Sequence, residues 1–292
     1  IALKLLAVLL KSWWPLMSEA IFELVNVSYS YPNGVKAIEN VSLKIHRGEC
    51  VAIVGPNGAG KTTLLHMLDG LIVPSDGEIR IFGTPITQKG NYSWIRRKIG
   101  YVMQDVSSAL FNMCVWDEVT FGLKQLNLSD EMINEIGEAI LKRFEIEHLK
   151  ERHPFHLSFG EKKKVLLASV LAIDPEVILL DEPTTEVDAK WRKWIIKFIK
   201  ELNESEKKTV IVATHDMDAI PFFAKRVIVF NKEIIADGTI DTVFRNEHLI
   251  SKANLDMPLL IKLFFEAKKA NIFSEHEGMP LTICLLYTSP SP

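Results

Sequence analysis

The sequence predicts an α/β fold built on a parallel sheet with a phosphate-binding loop at its carboxyl edge. Three observations predict it. "VAIVGPNGAGKTTLLHML" (51–68) sets a four-residue apolar run, Val51–Val54, before a glycine-rich turn and a helical repeat of Leu64, Leu65 and Leu68. "PEVILLDEPTT" (175–185) and "TVIVATHDMD" (209–218) are two more continuous apolar runs, each ending in polar residues that can do chemistry. Runs of this kind, apolar on both faces, belong to strands covered on both sides.

The first strand is "AIFELVNVSYSY" (20–31), followed by the strand "AIENVSLKI". After Val54 comes Gly55-x-x-x-x-Gly60-Lys61-Thr62, a Walker A spacing between a strand and a helix. Backbone N–H groups of Gly55, Pro56, Asn57, Gly58, Ala59 and Gly60 (proline excepted), with those of Thr62 and Thr63 at the positive end of the helix, make a nest for phosphate oxygens. Lys61 adds a point charge for the β- and γ-phosphates, and the Thr62 hydroxyl is suited to Mg²⁺. The segment is expected to hold a nucleoside triphosphate.

Next, the strand Ile99–Met103 ends at Gln104, whose amide is placed to contact metal and water. Val177–Leu180 is expected beside the first core strand and delivers Asp181 and Glu182 to the edge where such sheets bind ligands. Asp181 is read as a Mg²⁺ acid and Glu182 as the base that polarises water. His215, after the strand Val210–Ala213, is placed to donate to charge developing on the γ-phosphate.

Composition excludes little beyond this. The chain has 292 residues, is 48% hydrophobic and 24% charged, and carries a net charge of −3. That balance supplies no electrostatic reason for a nucleic-acid partner. Cys50, Cys114 and Cys284 are far apart and unlike any metal spacing, so they read as reduced thiols in a cytosolic compartment. "IALKLLAVLLKSWWPLM" is too short to span a membrane; it suits an interfacial or signal-like helix, or, as we expect, translated upstream sequence (1–16) before a start at Met17. "LTICLLYTSPSP" shifts abruptly in composition, and 279–292 is expected to be a non-native tail.

The order Walker A, glutamine after a strand, "LSFGEKKKV", "ILLDEP", "VD" and "THD" resembles the nucleotide-binding subunit of ABC transporters, from about Ile21 to Phe244. Within that family, "SYPNGVKAIENVSLKI", "VWDEVTFGLKQLNLSDEMINEIGEAILKRFEIEHLKER" and "NKEIIADGTIDTVF" resemble the energy-coupling-factor ATPases of cobalt/nickel and vitamin importers. The resemblance implies a RecA-like P-loop NTPase core with an antiparallel β subdomain and an inserted α-helical subdomain at about 106–172, the whole spanning 17–245. A helical extension, 246–278, follows, with "LDMPLLIKLFFEAKKAN" as a helix bearing Pro258 in its first turn.

The resemblance also implies ATP and Mg²⁺ as cofactors and two ATP molecules held in a head-to-tail dimer. That dimer is a homodimer or a pairing with a second ABC ATPase. It further implies membrane partners, namely a transmembrane coupling protein and a substrate-binding component, at the cytoplasmic face of the membrane. Tyr31 matches the aromatic that stacks on adenine, with Tyr29 as the alternative; Ser158 and Gly160 match the signature groups that face the partner's γ-phosphate; Asp188 matches the aspartate that communicates across the dimer.

The signature departs from Leu-Ser-Gly-Gly-Gln. Phe159 replaces a glycine, adding bulk and restricting φ, Glu161 adds negative charge, and Lys164 replaces an arginine. These departures admit a weakly active partner in an asymmetric pair. A non-transport ABC ATPase is the other alternative, although one Walker A and no sustained heptads argue against it. Of the inserted segment, Met132, Ile133, Ile136, Ile140, Leu141 and Phe144 read as a core-facing stripe. Leu110, Phe111, Met113 and Trp116 read as a groove for the membrane partner, being too apolar for a free loop.

Overall fold

A computed structural model of the chain describes residues 20–90, 92–246, 250, 253, 255 and 257–269. The expectations for 1–16, Met17 and 279–292 lie outside the described residues. Along the chain run β1 (Ala20–Ser30), β2 (Lys36–His46), β3 (Cys50–Val54), α1 (Lys61–Leu68), β4 (Asp76–Ile81) and β5 (Thr84–Pro85). Then come α2 (Ile95–Lys98), β6 (Ile99–Val102), α3 (Val106–Ala109), α4 (Val115–Lys124), α5 (Asp130–Arg143), α6 (Phe159–Leu171) and β7 (Val177–Asp181). The last are α7 (Ala189–Glu204), β8 (Thr209–Thr214), β9 (Arg226–Asn231), β10 (Glu233–Thr239), α8 (Ile240–Phe244) and α9 (Leu259–Lys269). The described residues before 91 and after 195 form one compact unit, and those from 92 to 195 form another.

In the first unit, β3 has every residue buried, as an apolar run without alternation demands. It pairs in parallel with β8 on one side and β9 on the other, and β10 closes that edge as an antiparallel hairpin with β9. A separate antiparallel sheet, in the order β2-β1-β4-β5, is made of strands that alternate more clearly. The register of β1 on β2 shifts between Leu24 and Val27. There Asn26 takes φ +50, and its side chain and backbone share the Ser42 hydroxyl. Asparagine tolerates this left-handed geometry better than most residues. The turn into β3 is locked by Gly48 N–H donating to Thr209 Oγ1 (2.8 Å) and by Asn203 Nδ2 donating to the Gly48 carbonyl (2.8 Å).

The predicted C-terminal helix is α9. It begins one residue after Pro258, whose carbonyl accepts from Lys262 N–H, and Asp218 Oδ1 accepts from Leu259 N–H at 2.8 Å. Ile261 and Phe264 are its buried residues.

In the second unit, β6 and β7 pair in parallel, with Val102 opposite Leu180. The stripe on α5 is core at Ile133, Ile140 and Leu141, continuing to Phe144 at the cap; Met132 is exposed instead, one position outside the apolar arc. The expected groove needs correcting in two places. Leu110 is buried, and Trp116 packs inward on Gly137, where a Cβ would come within 2.7 Å of the indole. Lys150 Nζ covers that ring at 4.0 Å from its centroid. Both side chains therefore serve the unit's own core. Phe111 (62% exposed) and Met113 (75%) do face outward, and Phe121 joins them by meeting Phe111 edge to face at 5.0 Å.

The loop carrying that patch hangs on one buried acid. Glu118 Oε2 accepts from Phe111 N–H (3.0 Å), Asn112 N–H (2.8 Å) and Asn112 Nδ2 (3.1 Å). Glu118→Ala leaves these donors without their acceptor and is expected to cost about 1–3 kcal/mol. The urea midpoint checks it, and a midpoint equal to wild type would show that the loop does not need the carboxylate.

Candidate functional site

The loop after β3 is shaped by close backbone approaches that only glycine permits. A Cβ on Gly55 would lie 2.0 Å from the Phe230 carbonyl oxygen, and one on Gly60 would lie 2.3 Å from that of Ala37. Gly60 stands at the N-cap of α1 with φ 92, and Gly58 also has positive φ. Lys232 N–H donates to the Ala59 carbonyl at 2.7 Å, fixing the loop against β9–β10. The loop thus leads into the N-terminus of α1, where backbone N–H groups and the helix dipole suit an anion, while Ala59 N–H donates to the Pro56 carbonyl at 3.2 Å. Over the loop folds Lys61, whose ammonium donates to the carbonyls of Gly55 (2.7 Å) and Pro56 (3.2 Å). Asn57, Gly58 and Thr62 are exposed at the rim.

Two further predicted residues come to this loop. Tyr31 OH and Thr63 Oγ1 are hydrogen-bonded at 2.8 Å, so the Tyr31 ring is anchored to the first turn of α1. Tyr29 stands edge-on to it at 5.2 Å. His215 follows Thr214, which is in register with Val54, so it stands level with Gly55 at the adjacent strand end. It is exposed there.

In the second unit, Asp181 is 2% exposed and accepts from Tyr101 OH at 3.3 Å. Glu182 is also buried, with φ +47. A glutamate in the left-handed region costs about 1–3 kcal/mol and persists only where its surroundings over-determine it. Here Thr185 N–H donates to the Glu182 carbonyl (3.2 Å), and Thr185 Oγ1 donates to Glu182 Oε2 (3.3 Å). Gln104 is exposed two residues beyond β6 and lines a cavity of about 270 Å³ with Phe159, Thr185 and Glu186.

Ser158 is the N-cap of α6 in a full capping box. Glu161 Oε2 accepts from Ser158 N–H (2.8 Å) and Ser158 Oγ (2.7 Å), while Glu161 N–H donates to Ser158 Oγ (3.4 Å). These bonds, the Ser158 hydroxyl foremost, hold the Glu161 carboxyl below its usual range. Glu161 is thus more than an added charge: it orders the turn that presents the Ser158 hydroxyl. The Ser-x-x-Glu spacing spells this cap, a signal that the focus on charge passed over.

Phe159 takes ordinary helical backbone, and its ring lies over Lys163 Nζ at 5.0 Å. Gly160 has no atom within 4 Å of where a Cβ would stand, so its face is open. Lys164 lies 4.0 Å from Glu145 and 6.0 Å from the Trp194 ring, in place of an arginine fork. Gly160 and Asp188 share a cavity of about 480 Å³, whose wall includes Trp191 and Trp194 stacked at 4.6 Å. Asp188 caps α7, its Oδ1 accepting from Trp191 N–H at 2.7 Å. Lys163, which sequence reasoning passed over as one of three lysines, is 6% exposed and donates to the carbonyls of Pro183 (3.1 Å) and Thr185 (2.9 Å).

Residues 38–185 match the family model described as ABC transporter. A putative ABC transporter ATP-binding protein of Methanocaldococcus jannaschii is 45% identical, the match covering 90% of this chain and 94% of that protein. The chain belongs to the ABC transporter ATPases. Within this family the energy-coupling factor transporter ATP-binding protein EcfA of Methanothermobacter thermautotrophicus is 41% identical over 81% of this chain and 76% of its own length. Among solved structures, cbiO1 of Clostridium perfringens, described as part of the ABC transporter complex cbiONQ, superposes with a TM-score of 0.72. It is 34% identical, covering 86% of this chain and 100% of cbiO1. The fold is that of an ABC ATPase, a P-loop NTPase, and the protein is an energy-coupling-factor-type ABC ATPase. It binds ATP and couples its hydrolysis to transport. Among the described residues no helix is long and apolar enough to cross a membrane.

Proposed function

We propose that this ABC ATPase powers import of a metal ion such as cobalt or nickel, or of a vitamin, through membrane partner subunits, using Mg²⁺ with ATP. The observation that carries the nucleotide chemistry is the loop itself: two glycines held where no side chain fits, and an ammonium resting on carbonyls it can leave for phosphate oxygens. Among the described residues no three His, Cys, Asp or Glu side chains cluster as a metal cage. Mg²⁺ takes one or two protein ligands and completes its shell with phosphate oxygens and water. Thr62, Asp181 and Gln104 are the side chains assigned to it. When bound, Mg²⁺ neutralises charge on the β- and γ-phosphates.

The loop N–H groups from Asn57 to Thr63 and Lys61 bind and orient the phosphates, and Tyr31 stacks on adenine. Glu182 holds the attacking water and takes its proton; His215 donates toward the γ-phosphate. Ser158 and Gly160 are assigned to the γ-phosphate of a second ATPase subunit's nucleotide, and Asp188 to communication across that dimer, whether with a second copy or a different ATPase. The ordered capping turn and the open Gly160 face support a working signature over a silent one. The Phe111, Met113 and Phe121 patch is assigned to the transmembrane coupling protein, and in this reading the chain works peripherally at the cytoplasmic face of the membrane.

Lys61→Ala tests the nucleotide half of this reading. Calorimetry with Mg²⁺ and ATP is expected to show affinity lowered by about tenfold or more, since a charge-assisted hydrogen bond contributes about 1.5–3 kcal/mol. Unchanged affinity would remove the loop from phosphate binding. For the transport half, the chain co-purified with membrane subunits and placed in proteoliposomes should drive ATP-dependent uptake of radiolabelled cobalt, nickel or a vitamin. A complex that hydrolyses ATP but accumulates none of these would overturn the proposed cargo.

A further inference from the structure

Besides Lys61, Lys163 is the lysine that is buried among the described residues, and its partners lie beside the proposed base. It lies one turn into α6, and its two acceptors are the carbonyls of Pro183 and Thr185, either side of Thr184 and immediately after Glu182. Glu182 is the residue with left-handed backbone in this segment, and Glu186, four residues on, is another. A chain that turns left-handed twice in five residues needs external ties, and Lys163 supplies two to the carbonyls between them. The Lys163 ammonium lies over the Phe159 ring at 5.0 Å, which relates the unusual signature phenylalanine to this contact.

We propose that Lys163 is a positioning residue for ATP hydrolysis, tying α6 to the carbonyls that follow Glu182 and so holding Glu182 in the backbone conformation from which it acts. The inference rests on Glu182 being the base. It differs from a structural role because the charge on the tie is titratable: the neutral amine keeps two N–H donors but loses the charge that strengthens and orients them. Burial pulls the Lys163 ammonium down to about 8, opposed by Glu186 and Glu182. Asp181 lines a small cavity with Lys163, Val102 and Met103, and Asp105 and Glu186 line a second cavity with Phe159. The ammonium is therefore charged below about pH 8 and loses its proton above it. The sign for stability runs the other way. The folded value lies below the ordinary 10.5, so between these values the unfolded chain binds more protons and this group's contribution to stability rises with pH. Turnover is expected to fall through about pH 8 in a window where Lys163 does not weaken the fold.

The test measures phosphate release by the full chain with Mg²⁺ and saturating ATP from neutral to alkaline pH, alongside melting temperature and calorimetric ATP affinity. Lys163→Met keeps the stem and removes the donors; kcat is expected to drop about 10- to 100-fold with affinity unchanged. Lys163→Arg keeps the charge throughout this pH range and is expected to restore much of the turnover and remove the alkaline decline. If Lys163→Met fails to fold, Lys163→Arg decides alone: a decline that stays near pH 8 overturns the proposal. Glu182→Gln separates the two ideas. If it still hydrolyses ATP, the base assignment falls and the positioning role falls with it. If it is inactive while both Lys163 variants turn over as wild type with an unchanged pH profile, only the positioning role is lost.

Discussion

Glu182→Gln is expected to lower ATP turnover by about 10²- to 10⁴-fold while calorimetric ATP affinity stays at the wild-type value. The amide has the size of the carboxylate, and its oxygen can still accept from Thr185 Oγ1, so the buried surroundings need not rearrange. What it loses is the capacity to take a proton. The backbone strain at φ +47 is the same for both side chains. Glu182→Asn, by contrast, places at that position a residue at ease in the left-handed region, and its melting temperature is expected to rise while turnover is lost. Phosphate release measured on both variants checks the pair. Turnover near wild type in Glu182→Gln would remove this residue from proton transfer.

Gly60→Ala is expected to destabilise the protein by about 4 kcal/mol and to abolish measurable ATP binding. Its Cβ would stand 2.3 Å from the Ala37 carbonyl oxygen, a backbone atom that cannot swing aside, and φ 92 adds strain of its own. Gly58→Ala is the internal control. Its φ is +78 but no atom lies within 4 Å of the added methyl, so only the conformational cost applies, about 1–2 kcal/mol. Urea midpoints on the two variants separate steric clash from backbone preference. Equal midpoints would mean that the Ala37 strand yields and that the loop is less rigid than its contacts require.

Both variants touch features of differing legibility. The phosphate loop was readable because its requirements are local: a buried strand, glycines at fixed spacing, a lysine and a helix, all within 18 residues. The strands ending at Val54, Leu180 and Ala213 were readable because continuous burial leaves an unbroken apolar run. Lys163 was not, since its partners lie 20 and 22 positions away and are carbonyls, which have no spelling. Leu110 and Trp116 read as outward-facing because an apolar loop residue looks the same in sequence whether it meets a partner or its own core; the glycine at 137 that receives Trp116 is a written trace of the inward packing. Glu161 shows a third kind of miss. Its charge was weighed against a distant anion, whereas the nearer hydroxyl and N–H of Ser158 had already engaged it.

The stacked Trp191 and Trp194 rings, 8° from parallel, also bear on how this protein can be watched. Among the described residues, tryptophan occurs at 94, 116, 191 and 194, all within the 92–195 unit, whereas Tyr29 and Tyr31 lie in the other. Indole emission from these described residues therefore reports on the 92–195 unit, and replacing Trp13 and Trp14 by phenylalanine would confine the chain's whole indole signal to it. Two indoles stacked so nearly parallel couple their transitions, so near-ultraviolet dichroism carries a signature of this one pair. In that Trp13→Phe, Trp14→Phe background, with no fluorophore attached, an optical trace during ATP turnover would follow the unit that holds Asp188 and Gly160.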